Sequence, residues 1–279
     1  MTKKPHELIE KALYRPVPNM DALRARKLGY RDTSIDIDHP LFNEPLVKIA
    51  EYGLAGQAHY SRLNTGTGDP VEGVPKELWL RKSLAETLAQ LNTTLNQPAV
   101  AAFFGGEVEL YIDDAFRPVW LQKLLYHEVF PALIRKNNPN ISDEQMAERR
   151  KDLIAMPSYD PRRPSPHATG GAVDIKLRFK QSERSFVPNV DVPVGHQGGD
   201  TSEHVNPDYF EYHQPTSDQV RLAQRNRRAF YAIMAGTAFG VSTDLVNNPT
   251  EWWHWSRGDQ LWAQVKRAKT AYYSFAQMP

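Results

Sequence analysis

Ser165-Pro166-His167-Ala168-Thr169-Gly170-Gly171-Ala172-Val173-Asp174, continuing as Ile175-Lys176-Leu177-Arg178-Phe179, decides how this chain is read. Val173, Ile175, Leu177 and Phe179 alternate with Asp174, Lys176, Arg178 and Lys180, the two-residue period of a half-buried strand. Asp174 therefore belongs to the polar face, at the start of that strand. The preceding run Pro157 to His167 is too rich in proline for regular structure and delivers His167 on a loop. Far downstream, Glu251-Trp252-Trp253-His254 supplies a second imidazole and a second carboxylate. Two imidazoles, a carboxylate and a spare Glu are the parts of a hydrolytic zinc site, whose fourth position stays open for water.

Composition narrows the chemistry. The chain has 279 residues with no cysteine, so disulfides, thiolate catalysis and Cys-type zinc sites are excluded, and any metal must use His and carboxylates. Its 34 basic and 33 acidic side chains nearly cancel, giving no reason to expect nucleic acid or an anionic membrane as partner. A hydrophobic content of 41% is ordinary for a globular protein. The longest apolar run, Pro98 to Phe104, is far too short to span a bilayer, so no membrane span is expected. The N-terminus is basic but lacks an apolar stretch behind it, which predicts a cytoplasmic protein, or a periplasmic one if an export signal has been removed.

Outward from the central strand, residues 1–74 are broken by prolines and read as an extension packing on a main domain of residues 75–279. Within the extension, Ile35 and Ile37 suggest a short strand and Leu46 to Tyr52 a short helix. Pro75 is expected to open a helix whose stripe is Leu80, Leu84, Leu88, Leu91 and Leu95. Val108, Leu110 and Ile112 predict a strand running into Asp113-Asp114-Ala115-Phe116-Arg117-Pro118. A helix carrying Trp120 to Val129 should end near Pro131, and Ser142 with Gln145 forms a capping box for the next. Ser217 should cap a helix over Asp218 to Ala235. Strands are expected over Phe239 to Leu245 and Trp252 to Trp255, then a C-terminal helix or two short turns. Helices and strands mix without a βαβ rhythm, which predicts an α+β fold.

Glu251 and His254 pose a geometric problem. Residues three apart in a regular strand face opposite sides, so the two converge only if the strand is twisted, bulged or just beginning, or if the segment is helical. Arg117 beside Asp113 and Asp114 could by itself be a surface ion pair.

As a set, these residues resemble the D-alanyl-D-alanine dipeptidases of the VanX type, zinc peptidases related to the D,D-carboxypeptidases. The family signature Ser-x-His-x-x-Gly-x-Ala-x-Asp is present as Ser165, His167, Gly170, Ala172 and Asp174. Glu-x-x-His in the form EWWH is Glu251 to His254, and Asp-x-Tyr/Phe-Arg-Pro is Asp114 to Pro118. The motifs come in the family's order, and the similarity spans roughly 75–262.

The resemblance implies one Zn²⁺ per chain on His167, Asp174 and His254, with Glu251 as general base. Arg117 would hold the peptide oxygen as it becomes an oxyanion, and Ser165 would line the substrate cleft. It also implies the small, mostly antiparallel α+β fold shared by D,D-peptidases and the hedgehog signalling domain. The substrate would be D-Ala-D-Ala or a similar small dipeptide or cell-wall peptide. In place of the family's Phe-Asp segment for the substrate ammonium stands Val194 to His204, where Asp200 is the candidate and the Phe is missing. That departure leaves open a D,D-carboxypeptidase or peptidoglycan-peptide hydrolase, and from another class a zinc-bearing binding module without hydrolysis.

Overall fold

The computed structural model describes residues 5–27, 29–62, 70–180, 191–195, 205–213 and 215–278. The architecture is α+β. Its main sheet has the order β2 (Ala55–Gly56), β4 (Val108–Asp114), β5 (Ala172–Phe179), β7 (Glu251–Ser256), β6 (Val246–Asn248). All neighbours run antiparallel except β2 and β4. A separate antiparallel pair joins β1 (Leu46–Lys48) to β3 (Trp79–Arg81). The proline-broken N-terminal region thus contributes strands to both sheets and, through Ala12 and Leu13, side chains to the core.

The strand expected at Val173 is the central one of the main sheet. Val173, Ile175 and Leu177 pack with Val108, Leu110 and Ile112 of β4 on the buried face, and each such side chain contributes about 1.5–3 kcal/mol by leaving water. Covering that face are α1 (Pro5–Leu13), α4 (Lys82–Thr94), α5 (Pro98–Phe104) and α10 (Asp218–Met234), which supply Leu13, Leu88, Val100 and Phe230. The opposite face is polar, with cross-strand pairs Arg178–Glu109 at 2.7 Å and Lys176–Asp113 at 2.8 Å.

The remaining helices fill the flanks: α2 (Asp21–Lys27), α3 (His59–Arg62), α6 (Val119–Leu124), α7 (Phe130–Asn137), α8 (Asp143–Leu153), α9 (Tyr209–Tyr212) and α11 (Gln260–Lys266). The expected caps are in place: Ser142 and Gln145 make the reciprocal capping box of α8, and Ser217 accepts from the Val220 amide at the start of α10. Among the described residues no helix is long and apolar enough to cross a membrane.

Several local expectations are corrected. The helix expected from Pro75 begins only at Lys82, because Trp79 to Arg81 are paired with Leu46 to Lys48 as a strand. The same pairing replaces the helix expected at Leu46 to Tyr52 by β1 and a 3₁₀ turn. Backbone pairing across some thirty residues leaves no local signature, and Leu80 stays on the apolar stripe either way. Nor does Pro131 end its helix. A π turn over Leu125 to Val129 precedes it, with the Phe130 amide bonded to the Leu125 carbonyl, and the helical backbone continues through Pro131 into α7. The strand expected at Phe239 to Leu245 is displaced to Val246, since Gly236, Gly240 and Asp244 take left-handed backbone. Ile35 makes a single parallel bridge to Ala271.

Candidate metal centre

Two pairs of strands and one turn converge on the polar face at the head of β5. Asp174 lies directly across from His254 in the β5–β7 ladder, so their side chains emerge side by side, with His254 Nδ1 3.0 Å from Asp174 Oδ1. His167 sits on a 3₁₀ turn (Pro166–Thr169) that leads into β5. Its Nε2 is 3.1 Å from His254 Nδ1 and 3.4 Å from Asp174 Oδ1. The ligand atoms of His167, Asp174 and His254 all lie within 4.8 Å of one another, and this group could hold a metal ion.

The turn carrying His167 is fixed by its glycines and by a buried arginine. Gly170 has φ +71°, and a Cβ there would stand 2.5 Å from Leu46 Cδ2. At Gly171 the backbone runs so close to the β7 end that a Cβ would lie 2.4 Å from the Arg257 carbonyl oxygen. Arg81, itself 4% exposed, donates from Nε to the Thr169 carbonyl at 2.7 Å and ties the turn to the core. His167 Nδ1 donates to the Ala115 carbonyl at 2.8 Å, which leaves Nε2 of the neutral ring facing the cluster. On the far side of His254, Nε2 lies 3.3 Å from the Ser256 hydroxyl.

The convergence of Glu251 and His254 is achieved by a bulge. On the β6 side the register steps from Asn247 opposite Trp255 to Asn248 opposite Glu251, so three residues of β7 have no partner there. Asn247, buried, fills the gap: its Nδ2 points at the carbonyls of Glu251, Trp252 and His254, at 3.2, 3.3 and 2.9 Å. The strand thereby turns Glu251 back towards the cluster, with Oε2 3.7 Å from His254 Nδ1.

A second bulge, between Ile112 and Asp114 of β4, places Asp114 opposite Asp174. Asp114 Oδ2 accepts from both Nε and Nη2 of Arg117, and Nη1 donates to Gln122 Oε1 at 2.7 Å. The Arg117 amide bonds the His167 carbonyl at 3.1 Å, lacing this loop to the first imidazole's turn. Held this way and almost wholly buried, the guanidinium brings Nη2 to 3.9 Å from Asp174 Oδ2. Two N–H groups, one on each terminal nitrogen, are left over from these bonds.

Charge balance favours an ionised carboxylate in the cluster. Burial alone would raise the Asp174 pKa, but the two imidazoles beside it overcome that and hold it well below the ordinary carboxylate range. For His167, burial disfavours the imidazolium and Arg117 adds to that, yet the charge and hydrogen bond of Asp174, together with Asp114, leave its pKa above the usual value. The metal-free cluster is therefore a set of proton-binding groups, for which a cation would compete.

The structure brings His167, Asp174, His254, Glu251 and Arg117 together. Ser165 is buried at the N-terminal side of the His167 turn. Asp200 lies outside the described residues. The sequence reading passed over four neighbours: Gln122, Asn247, Asn248 and Tyr60. Gln122 follows Arg117 by five residues at a helix start, which is a local hint, whereas the Asn pair before Pro249 looks like any asparagines before a turn. Tyr60, whose ring lies 5.5 Å below the Arg117 guanidinium and whose hydroxyl pKa is pushed up by burial, had none. It comes from α3, in the N-terminal region.

No family model matches the chain. A curated protein of Synechocystis sp., described as a D-alanyl-D-alanine dipeptidase, is 28% identical over 183 residues, which cover 59% of this chain and 68% of that protein. The chain is thus similar, over about two thirds of that protein's length, to a protein described as a D-alanyl-D-alanine dipeptidase.

Proposed function

We propose that this chain is a zinc-dependent dipeptidase that hydrolyses D-Ala-D-Ala or a similar small D-containing dipeptide. The observation that carries the reading is the triangle of donor atoms, with sides of 3.0, 3.1 and 3.4 Å, flanked by a carboxylate and a guanidinium. Tetrahedral zinc with bonds of about 2.0–2.2 Å to nitrogen and oxygen sets its ligands about 3.3–3.5 Å apart, so the three residues fit with small adjustments. The cysteine-free donor set suits the same ion, and a structural zinc would need neither Glu251 nor Arg117. Bound there, zinc would act as a Lewis acid and lower the pKa of water to about 7.

The chain's own residues supply the rest. Glu251, partly open to solvent, takes the proton from the attacking water and returns it to the leaving amine nitrogen. Arg117 directs its remaining N–H groups at the peptide oxygen as negative charge develops on it, an interaction that strengthens only in the transition state. Because Asp114 and Gln122 hold the guanidinium beforehand, no reorganisation is needed when that charge forms. Ser165 lines the cleft, and Asp200 is the candidate for binding the substrate ammonium. Residues 75–279 carry the catalytic groups on the fold shared by D,D-peptidases and hedgehog domains, and residues 1–74 pack on them while adding strands to both sheets and side chains to the core.

Treating the protein with a chelator should abolish hydrolysis of D-Ala-D-Ala, and adding Zn²⁺ should restore it. Glu251→Ala should bind zinc normally yet lose about 10²–10⁴ in turnover. Activity that survives chelation, or an unimpaired Glu251→Ala variant, would sink the mechanism. Preference for N-acetyl-D-Ala-D-Ala over the free dipeptide would instead assign a D,D-carboxypeptidase, the activity that the departure around Asp200 leaves open.

A further inference from the structure

Glu251 is not a free carboxylate on the rim of the cluster. It closes the turn Asn248-Pro249-Thr250-Glu251, whose first and last residues pair across β6 and β7. Asn248, 4% exposed, donates from Nδ2 to Glu251 Oε2 at 2.6 Å. The orientation of that amide is fixed by its other end. Asn248 Oδ1 faces the Thr250 backbone amide at 3.3 Å and the Thr250 hydroxyl at 3.1 Å; the backbone amide can only donate, so the oxygen must lie there and the NH₂ must face Glu251. Lys27 Nζ in turn donates to Thr250 Oγ1 at 2.5 Å, which commits the hydroxyl proton to Asn248. A chain of donors from α2 therefore ends on one oxygen of the carboxylate.

We propose that Asn248 is a positioning residue for the general base: its carboxamide holds Oε2 of Glu251, the oxygen 3.7 Å from His254 Nδ1, and so fixes where the carboxylate stands beside the cluster. This rests on the assignment of Glu251 as base given above. A glutamate has three side-chain torsions to fix, and the bulge sets only the direction in which it leaves the strand. Without Asn248 the carboxylate could rotate towards His254, 3.7 Å away, and turn from base into a ligand of the metal group. Asn248 also serves the turn through Oδ1, so a test must separate holding the turn from holding the base.

The separation comes from a double-mutant cycle on the full-length, zinc-loaded protein with D-Ala-D-Ala as substrate. Asn248→Ala should lower kcat about 10–100-fold, with KM and zinc stoichiometry unchanged. Glu251→Gln should lower kcat much further, and adding Asn248→Ala to it should cause no additional loss, because the group being positioned is gone. Should Asn248→Ala fold poorly, Thr250→Val removes only the hydroxyl that orients the amide and should lower kcat several-fold in the same coupled way. A crystal structure of zinc-loaded Asn248→Ala should show the Glu251 carboxylate displaced. Losses that multiply in the double variant, full turnover in Asn248→Ala, or an unmoved carboxylate would each overturn the proposal while leaving Glu251 as base. Wild-type turnover in Glu251→Gln would overturn the base assignment itself, and the proposal with it.

Discussion

The head of β5 and the β6–β7 hairpin contribute to the same cluster by opposite means. β5 is regular: Asp174 reaches the polar face by simple alternation, and the turn before it is held by close backbone packing at Gly170 and Gly171. The hairpin is irregular, and its register shift, filled by one carboxamide, is what brings Glu251 and His254 to one side. A strand in regular register can place one residue in two on a given face. Bringing together residues three apart requires an insertion, and an insertion leaves carbonyls that something must satisfy. The regular side is therefore vulnerable to added volume and the irregular side to a lost hydrogen-bond donor.

The largest effect should come from adding volume on the regular side. Gly171→Ala would put a methyl group 2.4 Å from the Arg257 carbonyl and 2.7 Å from the Tyr273 ring, neither of which is a free side-chain tip. A loss of about 3 kcal/mol or more is expected, read as a lower denaturant midpoint, together with weakened zinc binding. An unchanged midpoint would show that the close approach at β5 is not what holds the His167 turn.

Removing the carboxamide should break the irregular side more gently. Asn247→Ala leaves the carbonyls of Glu251, Trp252 and His254 without that donor, at a cost of about 1–3 kcal/mol. Zinc affinity measured by competition with a chromophoric chelator should fall about 10–100-fold, as His254 loses its backbone support. If affinity is retained while stability falls, the bulge shapes the hairpin but not the ligand.

The smallest effect is electrostatic and tests both sides at once, since Asp174 comes from β5 and His254 from the hairpin. In the metal-free protein the raised His167 pKa contributes stability that is fully present below about pH 6.5 and lost as pH rises through its folded value. The depressed Asp174 pKa contributes stability present above about pH 4 and lost as pH falls towards its folded value. From this pair the metal-free protein should be most stable between these limits. The gain in Tm on adding zinc should grow from pH 6 to pH 8, because the metal needs the imidazoles unprotonated. A zinc-induced shift in Tm that is flat across that range would contradict the charge balance described for the cluster.

Much of the site was legible from residues alone. The alternation from Val173 to Phe179 is dictated by burial of one face, and it put Asp174 on the other. Side-chain caps at Ser142 and Ser217 could be read because their partners lie within three residues. The conflict between Glu251 and His254 was also visible, as a mismatch between their spacing and the period of a strand. Its resolution was not, because the filling group, Asn247, carries no pattern that distinguishes it from any asparagine before a turn. Tyr60 beneath Arg117 was likewise out of reach, since nothing local ties α3 to a loop more than fifty residues away.

By itself the sequence determined which donors are available, that sulfur is not among them, which residues face the core along the central strand, and where the capped helices begin. Only the tertiary structure decided that α4 starts after a strand, that bulges interrupt both neighbours of β5, and that Arg117 is held by Asp114 and Gln122 and Glu251 by Asn248. The division has one physical cause. Periodicity, capping and donor chemistry act within a few residues, whereas register and bulges are set by backbone hydrogen bonds between distant strands, whose partners are chosen only when the sheet assembles.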